Sequence, residues 1–278
     1  MTENSTFRPT FLQKLLGRNY KWWYVLQFKF KGRTVSLMDN ILFVLGQILI
    51  LISSLLVWWL ANNKIIDHSL QEKWTYFVIG EIFFNLIFNF AEFEGFDILR
   101  GQTTIDLLKP QPYLLLKIFD TYGESLLQNI IKSGILAFML IIMLLTNNIT
   151  YFNWINFFQA VCLLPIAWII LYLIEITVAF SAFFMRQMNG VILNFSFFSN
   201  LFMGRTFPLN LIIFSQTVLL FNPFAYLFYH PVQIYLGKYS NLEIFYVFLG
   251  GIAWCFILYF LAKLVFQIGL KRNESVGL

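Results

Sequence analysis

The chain has 278 residues, of which 59% are hydrophobic, 20% aromatic and 12% charged, with a formal net charge of +5. A soluble domain carries roughly 25% charged residues, so an ordinary cytosolic globule is excluded and a bilayer is the expected environment. The positive balance then reads as topology and attraction to lipid headgroups, and no nucleic-acid partner is expected.

Residues 1–38 form a basic tail with an aromatic element at 18–34, where Trp22, Trp23, Leu26 and Phe30 recur at helical spacing among Lys21, Lys29, Lys31 and Arg33. Rings at headgroup depth and ammonium groups at lipid phosphates suit an in-plane interfacial helix. A disordered basic tail is the alternative. The first apolar run starts too far in and is too long for a cleavable signal, so it is expected to stay as a span.

Apolar runs near or above the ~20 residues that cross a bilayer lie at 39–61, 74–93, 126–146, 154–184 and 243–267. A weaker run at 191–207 is interrupted by Gly204 and Arg205 and followed by Pro208. Open sheets cannot cross lipid and barrel alternation is missing, so the spans are helices. The expected fold is an all-α polytopic membrane protein, with six transmembrane helices in 39–268 and a short tail at 269–278.

Lys and Arg gather in the segments that lie inside if the N-terminus is cytoplasmic, including Arg100, Lys109, Lys117 and Arg186. Both termini are therefore expected in the cytosol, with the chain multi-pass in the plasma membrane. Cys162 and Cys255 fall inside apolar runs, where a thiol acts as a small hydrophobe. The sequon at Asn148 and Thr150 falls in an expected outer loop and matters only in a glycosylating host.

The segment at 96–120 is cytoplasmic on this topology. A short helix at 94–100 is expected to end at Gly101, since glycine takes the left-handed conformation cheaply. Thr103 and Asp106 fit a variant capping box for a second short helix, and Lys109, Pro110 and Pro112 stop it. Its apolar residues Phe96, Leu99, Ile105 and Leu108 require a cover, either lipid, the chain's own helices or a partner.

Ile98, Gly101, Leu107, Leu108 and Pro110 together resemble the loop between the second and third spans of ABC type-2 permeases. In 222–238, Pro223, Phe224, Tyr229, Pro231, Leu236 and Gly237 match a second pattern of that family, between the fifth and sixth spans. Gln102 departs from the charged residue more usual there. The resemblance implies a cytoplasmic coupling helix, with Phe96, Leu99, Arg100, Gly101, Thr103, Asp106, Leu108, Lys109 and Pro110 docking on a separate cytosolic ABC ATPase. It also implies a second permease chain, the same or homologous, and ATP and Mg held by the partner. The chain has no GxxxxGK[ST] phosphate loop, so it is not expected to be its own ATPase or to bind a cofactor.

In the segment joining spans 5 and 6, prolines break any continuous helix while aromatics keep it apolar. Re-entrant or interfacial helices reconcile the two, with Pro223, Phe224, Tyr229 and Pro231 as an outer gate or as a packing plug.

Charges inside spans default to functional candidates. Glu81, Asn85 and Asn89 make a polar stripe one turn apart, a candidate dimer seam or pathway wall. Lys132 and Glu175 either pair across helices or line a pathway, and Lys263 snorkels. No catalytic residue and no metal ligands are expected, since His68 and His230 stand in no recognisable motif. The favoured function is the permease of an exporter of an amphipathic or hydrophobic substrate such as a lipid, glycolipid or peptide. The alternative is an ATP-independent channel or lipid scramblase, and a membrane enzyme ranks below both.

Overall fold

In the computed structural model, residues 70–89, 91–109, 111–145, 153–209 and 216–274 are described, with scattered helical positions between 25 and 56. The interfacial element apart from Val25, most of the first span, Pro110, the sequon, His68 and residues 275–278 lie outside the described residues.

Among the described residues every regular element is helical. Helix α1 covers Leu70–Ile87, and a 3₁₀ turn at Ala91–Phe93 leads into α2, Glu94–Leu99, and α3, Gln102–Leu107. Helix α4 covers Tyr113–Leu145 and α5 Trp154–Phe180, prolonged by a 3₁₀ turn at Ser181–Phe184. Then come α6, Asn189–Phe202; α7, Gln216–Leu220; a 3₁₀ turn at Pro223–Leu227; α8, Tyr229–Tyr235; and α9, Asn241–Glu274.

Helix α5 is the axis of the molecule. Ala160, Ala167 and Ala179 are fully buried along it, with Leu163, Ile170, Leu171 and Ile176 between them, and small residues let neighbouring backbones approach where lipid supplies no hydrophobic drive. Helix α9 packs along it, while α1, α2 and α8 cover its other faces, and α4 leans on α1. On α9 the residues Phe245, Leu249, Ile252, Phe256 and Phe260 are exposed at spacings of three or four. Such a stripe is one continuous helical face, too apolar for water and suited to lipid.

The segment at 154–184 is 31 residues long, about 46 Å at ~1.5 Å per residue, more than the ~30 Å hydrocarbon core requires. It and 241–272 are each long and apolar enough to cross, and α1 with its continuation to Leu99, bent by 47°, is a third candidate. The chain is therefore a membrane-embedded, all-α protein. Two boundaries differ from those read in the sequence. Helix α4 starts at Tyr113, well before the apolar run at 126, because the chain turns helical directly after Pro112, whose carbonyl accepts from Leu116 N–H at 3.0 Å. Helix α6 has 14 residues and ends before Gly204, which sits at φ +84.

The bundle has two distinct ends. At one, the starts of α1, α5 and α9 meet residues 203–209 and 216–240, where Tyr76 Oη donates to the Gly204 carbonyl at 2.9 Å. At the other, the ends of α5 and α9 meet the 91–113 segment, where Tyr113 stacks on Phe266 with centroids 4.9 Å apart and planes within 8°.

Candidate functional site

The bend between α2 and α3 is built on one glycine. Gly101 sits at φ +76, where other L-residues are strained, and it both terminates α2 and stands as the N-cap of α3. The expected capping box does not form. No side chain caps α3, the Thr104 hydroxyl turns back to the Gly101 carbonyl, and Thr103 is buried. Asp106 has stronger donors elsewhere. Its carboxylate binds Lys109 Nζ at 2.6 Å through one oxygen and Lys117 Nζ at 2.9 Å through the other.

Lys117 is the residue that sequence reasoning passed over. It projects from α4, is buried, and also binds Glu94 Oε2 at 2.6 Å, so one ammonium group ties α2, α3 and α4 together. A buried ammonium needs paired carboxylates, and an early lysine on a long apolar helix was the available signal. Burial alone would raise the Asp106 pKa, but hydrogen bonds and charge from Lys109 and Lys117 outweigh it and hold the carboxyl below its usual value. The junction also leans on the bundle through buried Ile98 and through Gly95, against which Met188 packs closely.

With Thr103 inward and Asp106 occupied, the outward face consists of other residues. Leu108 is 85% exposed and Ile105 65%, with Leu99, Leu107 and Phe93 partly so, and Arg100, Gln102 and Lys109 are exposed beside them. Phe96 is half-buried, stacked on Phe93 at 6.0 Å. Thus Leu99, Arg100, Leu108 and Lys109 are exposed, while Thr103 is buried and Asp106 braces the bend through its lysines.

The polar stripe of α1 is buried inside the chain. Glu81 accepts from Arg205 Nε at 2.6 Å and Nη2 at 2.9 Å. Asn85 donates to the Glu81 carbonyl at 2.8 Å, and Asn89 accepts from Ala91 N–H at 3.0 Å at the break after α1. Lys132 Nζ lies 4.7 Å from the Phe88 ring centroid. Glu175 is buried against the 91–92 turn, and among the described residues no ion pair joins it to Lys132.

At the other end, Pro223 and Phe224 are half-buried, whereas Tyr229 and Pro231 are buried with the whole of α8, which packs on α5 and α1. The Asn222 side chain accepts from Phe224 N–H at 3.0 Å and starts the 3₁₀ turn. Among the described residues no group of three or more His, Cys, Asp or Glu side chains is placed to hold a metal ion.

A family model described as ABC-2 family transporter protein matches residues 42–277. The chain belongs to the ABC-2 transporter family. ABC-2 chains of this kind are membrane components of ABC transporters, generally not the ATPase, and act with an ABC ATPase partner. The chain is thus a permease subunit, embedded in a membrane. Searches of curated proteins and of solved structures find no match.

Proposed function

We propose that this permease drives export, with α2 and α3 as its coupling element. Their outward face docks on a cytosolic ATPase subunit that holds ATP and Mg, and closure of the ATPase pushes on α4 through the Lys117 junction and on α1 through the 3₁₀ turn that joins it to α2. Two permease chains, identical or homologous, enclose the path, each with six spans and both termini in the cytosol of a plasma-membrane protein. The cargo is amphipathic or hydrophobic: a lipid, a glycolipid or a peptide.

One observation carries this reading. Leu99, Ile105, Leu107 and Leu108 are exposed on a short polar-rimmed bend that is fixed to the bundle by a buried ammonium and two carboxylates. An apolar patch with such a rim suits a protein partner, and the rigid mount lets force applied there reach the spans. The deciding experiment is co-purification of the ATPase with the wild-type chain and with Leu108→Asp. Loss of the ATPase from a variant that still folds supports the docking role, and full retention in Leu108→Asp and Ile105→Asp overturns it.

A further inference from the structure

A half-open cavity of about 390 Å³ lies at the start of α9, at the end of the bundle opposite the α2–α3 bend, lined by Leu220, His230, Tyr239, Leu242, Glu243, Tyr246 and Val247. Among the described residues, most of this wall is apolar or aromatic and Glu243 is the carboxylate in it. Glu243 accepts from Ser240 N–H at 2.7 Å and Ser240 Oγ at 2.9 Å, both neutral donors. Lys238, five residues before Glu243 in the chain, pairs with Glu72 on α1. Among the described residues no basic side chain pairs with Glu243.

His230 does not supply the missing charge. It is fully buried; one ring nitrogen faces the Leu219 carbonyl at 3.3 Å and the other the Tyr239 hydroxyl at 2.8 Å. A carbonyl only accepts, so Nε2 is the donor and Nδ1 accepts the hydrogen bond from the Tyr239 hydroxyl, which describes a neutral imidazole. Burial agrees, pushing the His230 pKa down to about 4. Among the described residues, the cavity therefore presents a carboxylate held by neutral donors and paired with no cation, beside the rings of Tyr239 and Tyr246. A carboxylate with aromatic faces is the chemistry that recognises alkylated ammonium, and Leu220, Leu242 and Val247 offer the apolar wall that a hydrocarbon chain needs.

We propose that this cavity binds the ammonium head of an amphiphile, whose chain runs along the apolar wall toward the lipid-facing stripe of α9. The site goes beyond the export reading and does not depend on it. A membrane phospholipid bearing a choline head and a free cationic amphiphile share this chemistry.

The test uses the purified full chain in micelles of an uncharged maltoside detergent, probed by electron paramagnetic resonance with two spin-labelled ligands, an alkyltrimethylammonium and a phosphatidylcholine. A spin-labelled alkyl glucoside is the uncharged control. Saturable immobilisation of either ammonium probe, weakened at least tenfold by Glu243→Gln and by Leu242→Trp, supports the site, and the probe retained identifies the source. Leu242 is 62% exposed, so its replacement fills the mouth without touching the Ser240 cap and guards against a folding artefact in Glu243→Gln. Equal immobilisation of the glucoside, or binding unchanged in both variants, overturns the proposal. ATPase association plays no part in the readout, so failure here and failure of the docking reading are separable.

Discussion

Arg205 reaches across 124 residues of sequence to grip Glu81 through two nitrogens, at 2.6 and 2.9 Å. The guanidinium also lies over the Phe84 ring at 4.7 Å and donates to the Asn200 side chain at 3.2 Å. The clasp closes the turn after α6 onto the middle of α1, and it explains how a glutamate 3% exposed is tolerated in a largely apolar helix. Truncating one partner strands a buried charge, which costs about 3–5 kcal/mol. Glu81→Met and Arg205→Met alone should each lower the detergent-phase unfolding midpoint strongly. The double variant should recover most of the loss, and strictly additive losses would show that the pair does not couple.

Leu108 and Ile105 touch little within the chain. Their replacement by aspartate should change stability by no more than about 0.5 kcal/mol, as for exposed sites in general, while reducing ATPase capture at least tenfold. Thermal unfolding and co-purification measured on the same preparations separate the two effects.

Asp106 gives the α2–α3 bend a dependence on pH. Its folded pKa is depressed by Lys109 and Lys117, so its contribution is fully present above the unfolded value of about 3.9 and is lost as pH falls through the lower folded value. Glu94 shares Lys117, but burial outweighs that charge and raises the Glu94 pKa, so Glu94 takes up its proton at higher pH than Asp106 and does not add to the acid loss. Hydrogen exchange at 101–109, corrected for intrinsic rates, should show protection declining below about pH 4, where Asp106 takes up its proton. Lys117→Met should remove protection already at neutral pH, because it leaves two neighbouring carboxylates without their common cation.

Two glycines should resist replacement for different reasons. A Cβ on Gly80 would run into the Phe228 ring, which is fully buried, so Gly80→Ala should cost about 1–3 kcal/mol through overpacking. At Gly101 there is open space but a positive φ, and Gly101→Ala should cost about 1–2 kcal/mol from backbone strain alone. Combining Gly80→Ala with Phe228→Leu should relieve the first loss, whereas no neighbouring substitution should relieve the second.

Local signals in the chain were enough for the class of fold and for the exposed bend at Gly101. The run at 154–184 could only be a buried helix, because an apolar segment of that length in lipid must satisfy its backbone internally, and Gly101 marks the end of α2 because few other residues accept its φ. Residues 94–109 were recognisable as an exposed helical segment from the same kind of local chemistry. What needed tertiary structure were the partners of charges. Glu81 reads as a pathway candidate until Arg205 is brought to it, Asp106 reads as a cap until Lys117 arrives from the next helix, and Lys238 pairs with Glu72 on α1 rather than with a local carboxylate. Helix periodicity is written over a few neighbouring residues, whereas an ion pair is settled by which remote side chain reaches the charge first and at what depth. That choice is made by packing around α5, and no local pattern carries it.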